Sequence, residues 1–303
     1  MNAIKDAATR VAKRSKVLRW VAGSPVGELF DTKQPFSYRV MRITSRSNIL
    51  RNAATHVYMA RAQSKPLPTS HRSLFKDLAA PPFVEALIAK GFAGGLVLPA
   101  DCLSDILKFC GKAQFVPDCD PREPTLIDPT DEANPRPDNV FYRCLNPHTQ
   151  CKTVDELACD PFVIEVTRRY FETEPVFLSS QIWWSYPYPT KYDSYTPEYG
   201  FHYDIDDYKF LKLFVYLNCV DEARGPHVIV ERTHKRKDFF EKWHRRLTDE
   251  QVATRYPGAM RVMTGQRGEG FFEDTFCYHK GTNPRKRRLT LQLEYGIRSS
   301  RRN

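Results

Sequence analysis

The chain has 303 residues, of which 41% are hydrophobic and 13% aromatic, and it carries a formal net charge of +10. This length suits one large globular domain with extensions, or two small domains. No run of about 18 apolar residues is present, which excludes a membrane-spanning helix. The eight cysteines form no C-x-x-C pair, which favours reduced thiols over a disulfide scaffold. No apolar stretch typical of a secretory signal opens the chain, so we expect a cytoplasmic protein.

The positive charge is concentrated in the first quarter of the chain. Residues 1–72 carry fourteen Lys and Arg against three acids, and we interpret residues 1–80 as a basic N-terminal extension. Residues 3–21 predict an amphipathic basic helix, which either makes a peripheral contact with an anionic membrane surface or packs on the outside of the domain. Aromatic residues are too scattered among the cations to form a stacking surface, so we expect no nucleic-acid partner. The sequence gives no indication of the oligomeric state.

Helices and a long loop follow the extension. Apolar spacing predicts a helix over residues 83–92, a strand over 96–98 and a second helix from about Asp101. Residues 112–150 are rich in Pro and Asp, and so long an irregular segment is usually functional or disordered. A further helix is predicted over residues 153–173.

Short strands then dominate the chain. Strand patterns occur at residues 176–184, 210–217 and 227–230, and the last two are separated by a polar turn that ends in Gly225-Pro226. Short strands with such turns are typical of a β-sandwich or jelly roll. Apolar residues at helical spacing predict a helical insert over residues 236–256.

One motif in this region points to chemistry. His202 and Asp204 are two residues apart, so on a strand their side chains point the same way. His279 on a neighbouring strand would complete two imidazoles and one carboxylate on one side of a metal, which is the facial triad of non-haem Fe(II) oxygenases. Arg288, nine residues further on, opens an apolar strand and offers a planar fork suited to a carboxylate.

The order of these motifs resembles the phytanoyl-CoA dioxygenase family of Fe(II)/2-oxoglutarate-dependent oxygenases. The resemblance covers about residues 83–297 and rests on Phe201-His202-Tyr203-Asp204, the Gly225-Pro226 turn, Thr233-His234-Lys235, and His279 through Pro284 to Arg288. Two positions depart from the family pattern: Arg232 stands where a glycine commonly precedes the Ser/Thr-His pair, and Gly281 stands where a serine is common.

The resemblance implies a fold and a set of roles. The fold would be mainly β with flanking helices, a double-stranded β-helix (a cupin-like jelly roll) over residues 81–300. His202, Asp204 and His279 would bind Fe(II), leaving positions for 2-oxoglutarate and O2. Arg288 would bind the distal carboxylate of 2-oxoglutarate, with Gln181, Tyr216 and Thr282 as further candidates for polar contacts to it. The 112–150 loop would wall the substrate pocket.

The favoured interpretation is therefore a dioxygenase that hydroxylates an unactivated C–H bond. Its substrate would be a small molecule, or one linked to a carrier, lipid or sugar, and the positive charge favours an acidic one. Two alternatives stay open: a non-catalytic jelly-roll module that binds a sugar or an anion, and a cupin-type iron enzyme that does not use 2-oxoglutarate.

Overall fold

The computed structural model describes residues 34–61, 72–118, 123–129, 131, 133, 139–187 and 200–298. The helix predicted over residues 3–21, and with it the predicted membrane contact, lies outside the described residues. Within them, no helix is both long and apolar enough to cross a bilayer.

Eight helices and thirteen strands make up the described part of the chain. The helices are α1 (Phe36–Thr44), α2 (Asn48–Arg61), α3 (Ala80–Lys90), α4 (Ala100–Cys110), α5 (Lys152–Ala158), α6 (Pro161–Phe171), α7 (Phe239–His244) and α8 (Asp249–Arg255). The strands are β1 (Phe92–Val97), β2 (Gln114–Pro117), β3 (Thr125–Leu126), β4 (Phe141–Leu145), β5 (Val176–Ser185), β6 (Phe201–His202), β7 (Phe210–Tyr216), β8 (His227–Val230), β9 (Arg246–Leu247), β10 (Met260–Met263), β11 (Glu269–Glu273), β12 (His279–Gly281) and β13 (Arg288–Gly296).

The strands form two antiparallel sheets. The major sheet has the order β1-β11-β7-β13-β5-β4-β2-β3, and the minor sheet has the order β10-β8-β12-β6-β9. Chain neighbours alternate between the sheets, since β6, β8, β10 and β12 of the minor sheet are interleaved with β5, β7, β11 and β13 of the major sheet. This confirms the predicted double-stranded β-helix with flanking helices.

The centre of the major sheet is buried on both faces, since every residue of β7 and β13 is buried, and the two faces differ in character. On β7, Leu211, Leu213 and Val215 belong to a core shared with side chains of the flanking helices α3 and α6. The alternate residues point the other way, and Phe214 and Tyr216 pack with Ile229 of the minor sheet. The second face carries charged and polar residues as well, so the space between the sheets is where a site can form.

The helix predicted over residues 153–173 is two helices. The break falls at Asp160-Pro161, because proline is tolerated only in the first turn of a helix. Buried Asp160 caps α6 by accepting hydrogen bonds from the amides of Phe162 and Val163. The residues predicted as one helical insert, 236–256, likewise form two short helices, with β9 between them.

The described part of the basic extension packs on the domain. Arg42 donates to the carbonyl of Ile205 at 2.9 Å, and the Nε of Arg51 donates to the carbonyl of Tyr208 at 2.8 Å. Both carbonyls lie in the loop that follows β6. The arginines of α1 and α2 therefore bind the backbone of the segment just after Asp204.

Candidate metal centre

Two neighbouring strands inside the minor sheet, and the segment that follows one of them, bring the three predicted ligands together. β6 pairs with β12 so that His202 lies directly opposite His279, and their ring centroids are 4.4 Å apart. Asp204 follows two residues after His202, with Oδ1 at 3.9 Å from His202 Nε2 and Oδ2 at 3.6 Å from His279 Nε2. One donor atom from each residue lies within 4.8 Å of the others, and among the described residues this is the one group of three such side chains.

Backbone carbonyls set the orientation of both rings. Nδ1 of His202 lies 2.8 Å from the carbonyl of Gly200, and Nδ1 of His279 lies 3.0 Å from the carbonyl of Cys277. An Nδ1–H that donates to a carbonyl leaves the Nε2 lone pair available to a metal. Burial, and then the neighbouring His279, lower the pKa of His202 to about 3, and burial also lowers the pKa of His279. Both rings are therefore neutral at physiological pH, as ligands must be.

The carboxylate of Asp204 is ionised despite its burial. Burial by itself raises the pKa of Asp204, but Lys212 and the two imidazoles hold it well below its usual range. Lys212 Nζ lies 2.7 Å from Asp204 Oδ2. Two neutral imidazoles and one carboxylate on one side of a common point fit a divalent iron ion and leave its other positions open.

Arg288 lies on the inner face of the major sheet. Its side chain is 5% exposed, and Nη2 lies 3.5 Å from the hydroxyl of Ser185, on the adjacent strand β5. Its Nε and Nη1 are buried and have no hydrogen-bond partner among the described residues. A buried guanidinium with two unpaired nitrogens is suited to binding an anion, because leaving such donors unpaired is costly. Arg287 points to the opposite face, where it donates to the carbonyls of Asp128 and Pro129 and covers the Trp184 ring.

The three weaker candidates differ in position. Gln181 lies on the inner face, where Oε1 is 3.5 Å from Arg143 Nη1. The hydroxyl of Tyr216 donates to the carbonyl of Met263 at 2.7 Å, and that of Thr282 donates to the carbonyl of Pro226 at 2.8 Å. Gln181 stays a prediction as a cosubstrate contact, whereas the hydroxyl protons of Tyr216 and Thr282 are engaged with the backbone.

Two residues that the sequence did not single out, His227 and Glu273, connect the triad to Arg288. The His227 ring stacks on that of His279 with centroids 5.3 Å apart, and its Nε2 lies 2.8 Å from Glu273 Oε2 without the in-line geometry of a hydrogen bond. Burial raises the pKa of Glu273 to about 8, and burial followed by the charge of Arg288 lowers the pKa of His227 to about 3. At neutral pH the pair is therefore a protonated acid beside a neutral imidazole.

Lys212 was also missed, although the sequence contains a signal for it. It is the one charged residue in the strand Phe210–Tyr216, and every residue of that strand is buried. A lysine in such a strand needs a partner, because lysines are almost never fully buried unless they are paired.

Comparisons with known proteins support the fold. The sequence matches no protein-family model and no curated protein. Among solved structures, HygX from Streptomyces hygroscopicus, with nickel, 2-oxoglutarate and hygromycin B bound, is similar with a TM-score of 0.51 and 12% identity, over 74% of this chain and 90% of HygX. AviO1 from Streptomyces viridochromogenes Tue57 has a TM-score of 0.48, 18% identity and coverage of 74% and 97%, and EctD from S. alaskensis with bound Fe has 0.48, 17% and 76% and 81%. At these identities the likeness shows the fold, and of these three structures HygX has the TM-score above 0.5.

Proposed function

We propose that this chain is an Fe(II)- and 2-oxoglutarate-dependent oxygenase that hydroxylates a C–H bond. The observation that carries the proposal is one surface with two complementary features, namely the three convergent ligand side chains and the buried, half-unpaired guanidinium of Arg288. The His227 ring stacks on the His279 ring, and the charge of Arg288 helps to lower the pKa of His227. His227 therefore connects the ligand group with Arg288. HygX, which shares the fold, binds nickel and 2-oxoglutarate, and this agrees with the proposal.

Each residue then has a physical task. His202 and His279 hold the metal through Nε2, and Asp204 supplies one anionic oxygen, so that open positions remain. Arg288 binds the distal carboxylate of 2-oxoglutarate through its unpaired N–H groups, which fixes both orientation and affinity. Iron, when bound, would couple the oxidative decarboxylation of 2-oxoglutarate by O2 to the oxidation of a C–H bond. The apolar residues around the site, Phe214, Phe271 and Ile229, exclude water from the interior.

We propose further that the substrate is acidic. β9 pairs with β6 so that Arg246 lies opposite His202, and the charge of Arg246 contributes to the lowered pKa of His202. Because cross-strand partners share a face of the sheet, a cation stands beside the metal ligand. The segment 112–150, predicted as irregular, contains β2, β3 and β4, and Arg287 holds the carbonyls of Asp128 and Pro129 on the face away from the site. That this segment walls the pocket of a small-molecule, carrier-linked, or lipid- or sugar-linked substrate stays a proposal.

Anaerobic titration tests the function. Purified chain is loaded with Fe(II) and then with 2-oxoglutarate, and metal content, the visible absorption of the complex and succinate release on admission of air are measured. We expect stoichiometric iron, a 2-oxoglutarate-dependent absorption band and succinate, all lost in His279→Ala. His148→Ala is the matched control, because this histidine of the same domain bonds Ser180 and packs on Phe177. Absence of iron binding would favour the non-catalytic module, and turnover indifferent to 2-oxoglutarate would favour the cupin-type enzyme.

Substrate oxidation is tested separately. A panel of acidic metabolites and their uncharged analogues is screened for consumption coupled to succinate, and the product is checked by mass spectrometry for the gain of one oxygen atom. Preference for uncharged analogues would contradict the acidic-substrate proposal while leaving the oxygenase assignment standing.

A further inference from the structure

Lys212 is a buried cation surrounded by acids. It lies in the middle of β7, 7% exposed, and its register partners on the two neighbouring strands are Glu273 and Glu294. Above the sheet, Nζ lies 2.7 Å from Asp204 Oδ2 and 2.8 Å from Asp206 Oδ2. One lysine thus bridges the proposed carboxylate ligand and a second acid two residues later.

Core packing does not account for this lysine. Burying an ammonium group costs several kcal/mol unless its partners are well placed, and apolar residues occupy the other positions of β7. What the lysine provides is a fixed position for a segment that lacks regular structure. Asp204 and Asp206 lie between β6 and β7, outside both strands, and the backbone there is held by Asp204 N–H donating to Thr275 O at 2.8 Å. That bond fixes the main chain but leaves the Asp204 side chain free to rotate.

The ammonium group restrains one of the two oxygens of Asp204. Lys212 Nζ lies 2.7 Å from Oδ2, which also lies 3.6 Å from His279 Nε2, whereas Oδ1 lies 3.9 Å from His202 Nε2 and accepts no hydrogen bond from the lysine. A carboxylate without such a restraint can rotate, or can bind a metal through both oxygens and fill a position that the cosubstrate needs.

We propose that Lys212 is a positioning residue that holds Asp204 as a one-oxygen ligand. This inference rests on the proposed function, because it assumes that Asp204 binds the metal. It concerns a residue outside the ligand set and assigns the lysine a role in metal affinity and in the geometry of the metal, rather than in contact with the substrate.

The test uses Co(II), whose visible spectrum reports coordination number, together with Fe(II) affinity measured anaerobically. Lys212→Met keeps the length of the side chain and removes its charge and its donors. We expect metal binding to weaken about 10- to 100-fold, as is typical when a partner of a ligand is removed, and the Co(II) spectrum to change towards higher coordination. Lys212→Arg, which restores a cation with donors, should recover most of the affinity and the wild-type spectrum.

Two variants separate positioning from general effects. Lys209→Met removes a lysine three residues earlier that lies over the Tyr170 ring, and it should leave metal binding unchanged. Asp206→Asn removes the other partner of Lys212 while keeping the contact to Asp204, and it should bind metal within a few-fold of wild type. A loss of about tenfold or more in Asp206→Asn relative to wild type would overturn the proposal, because metal affinity would then depend on the whole ion-pair cluster rather than on the restraint on Asp204. This comparison does not require Lys212→Met to fold.

Different measurements would disprove the proposed function and the role of Lys212. If the wild-type chain binds no metal, the proposed function is wrong. If the wild-type chain binds metal and 2-oxoglutarate while folded Lys212→Met matches it in affinity and Co(II) spectrum, only the role of Lys212 is wrong.

Discussion

Replacing Arg288 by methionine separates cosubstrate binding from folding. In the free protein, Nε and Nη1 of Arg288 are buried without a hydrogen-bond partner. The buried charge therefore destabilises the free protein, and binding of 2-oxoglutarate would offset this loss of stability. Two hydrogen bonds to a charged group contribute about 1.5–3 kcal/mol each. Their loss should weaken 2-oxoglutarate binding by about 3–6 kcal/mol, which is roughly a 100-fold to 20,000-fold rise in the apparent Kd, since each 1.4 kcal/mol or so is tenfold. The stability of the free protein should be equal or higher, because an unpaired buried charge has been removed.

The assay is 2-oxoglutarate titration of the anaerobic Fe(II) complex, alongside urea unfolding of the metal-free chain. Arg287→Met is the matched control, because the adjacent guanidinium lies on the opposite face and holds the carbonyls of Asp128 and Pro129. It should lower the free energy of unfolding by about 3–6 kcal/mol through two lost hydrogen bonds to a charged group and leave 2-oxoglutarate affinity unchanged. Wild-type 2-oxoglutarate affinity in Arg288→Met, or the two variants exchanging their effects, would refute the reasoning.

Three further predictions concern residues outside the proposed ligand set that stabilise the fold. Asp160→Ala should cost about 2–4 kcal/mol in urea unfolding, because this buried side chain caps α6 and also accepts from Ser73 and Leu74; a loss below about 1 kcal/mol would contradict the cap. Gly225→Ala should cost more than about 2 kcal/mol by the same measurement, because φ is +65° and a Cβ would collide with Thr282 O and lie 2.8 Å from Pro284 N; a neutral variant would show that the turn is not constrained. The pKa of His227 is about 3 in the folded protein, against about 6.5 in the unfolded chain. The contribution of the buried neutral ring to the free energy of unfolding is therefore fully present above pH ~6.5, and it is lost as the pH falls from there towards 3. Between pH 7.5 and 5.5, metal-free His227→Gln should therefore lose about 1.4 kcal/mol less stability than wild type, and equal losses would contradict the burial argument.

Patterns of nearby residues in the sequence were sufficient to single out several residues of the candidate site. The sequence singled out His202 and Asp204, but the shared strand predicted for them does not form, since β6 ends at His202 and Asp204 lies in the segment after it. Alternation along the strand that Arg288 opens separates Arg288 from Arg287. The break at Asp160-Pro161 was also readable, since an aspartate before a proline is a helix-start signal, but the apolar spacing on both sides suggested one long helix.

What the sequence alone determined is therefore the class of fold and the side chains available for chemistry, because strand alternation and turn residues act over two to ten residues. Tertiary structure decided which distant groups share a buried volume. The pairing of β7 with β11 and β13 places Lys212 between Glu273 and Glu294, and the β6–β12 and β6–β9 pairings place His279 and Arg246 beside His202. These contacts join residues tens of positions apart, and the charge of a buried group depends on all its neighbours at once, so no local pattern contains them.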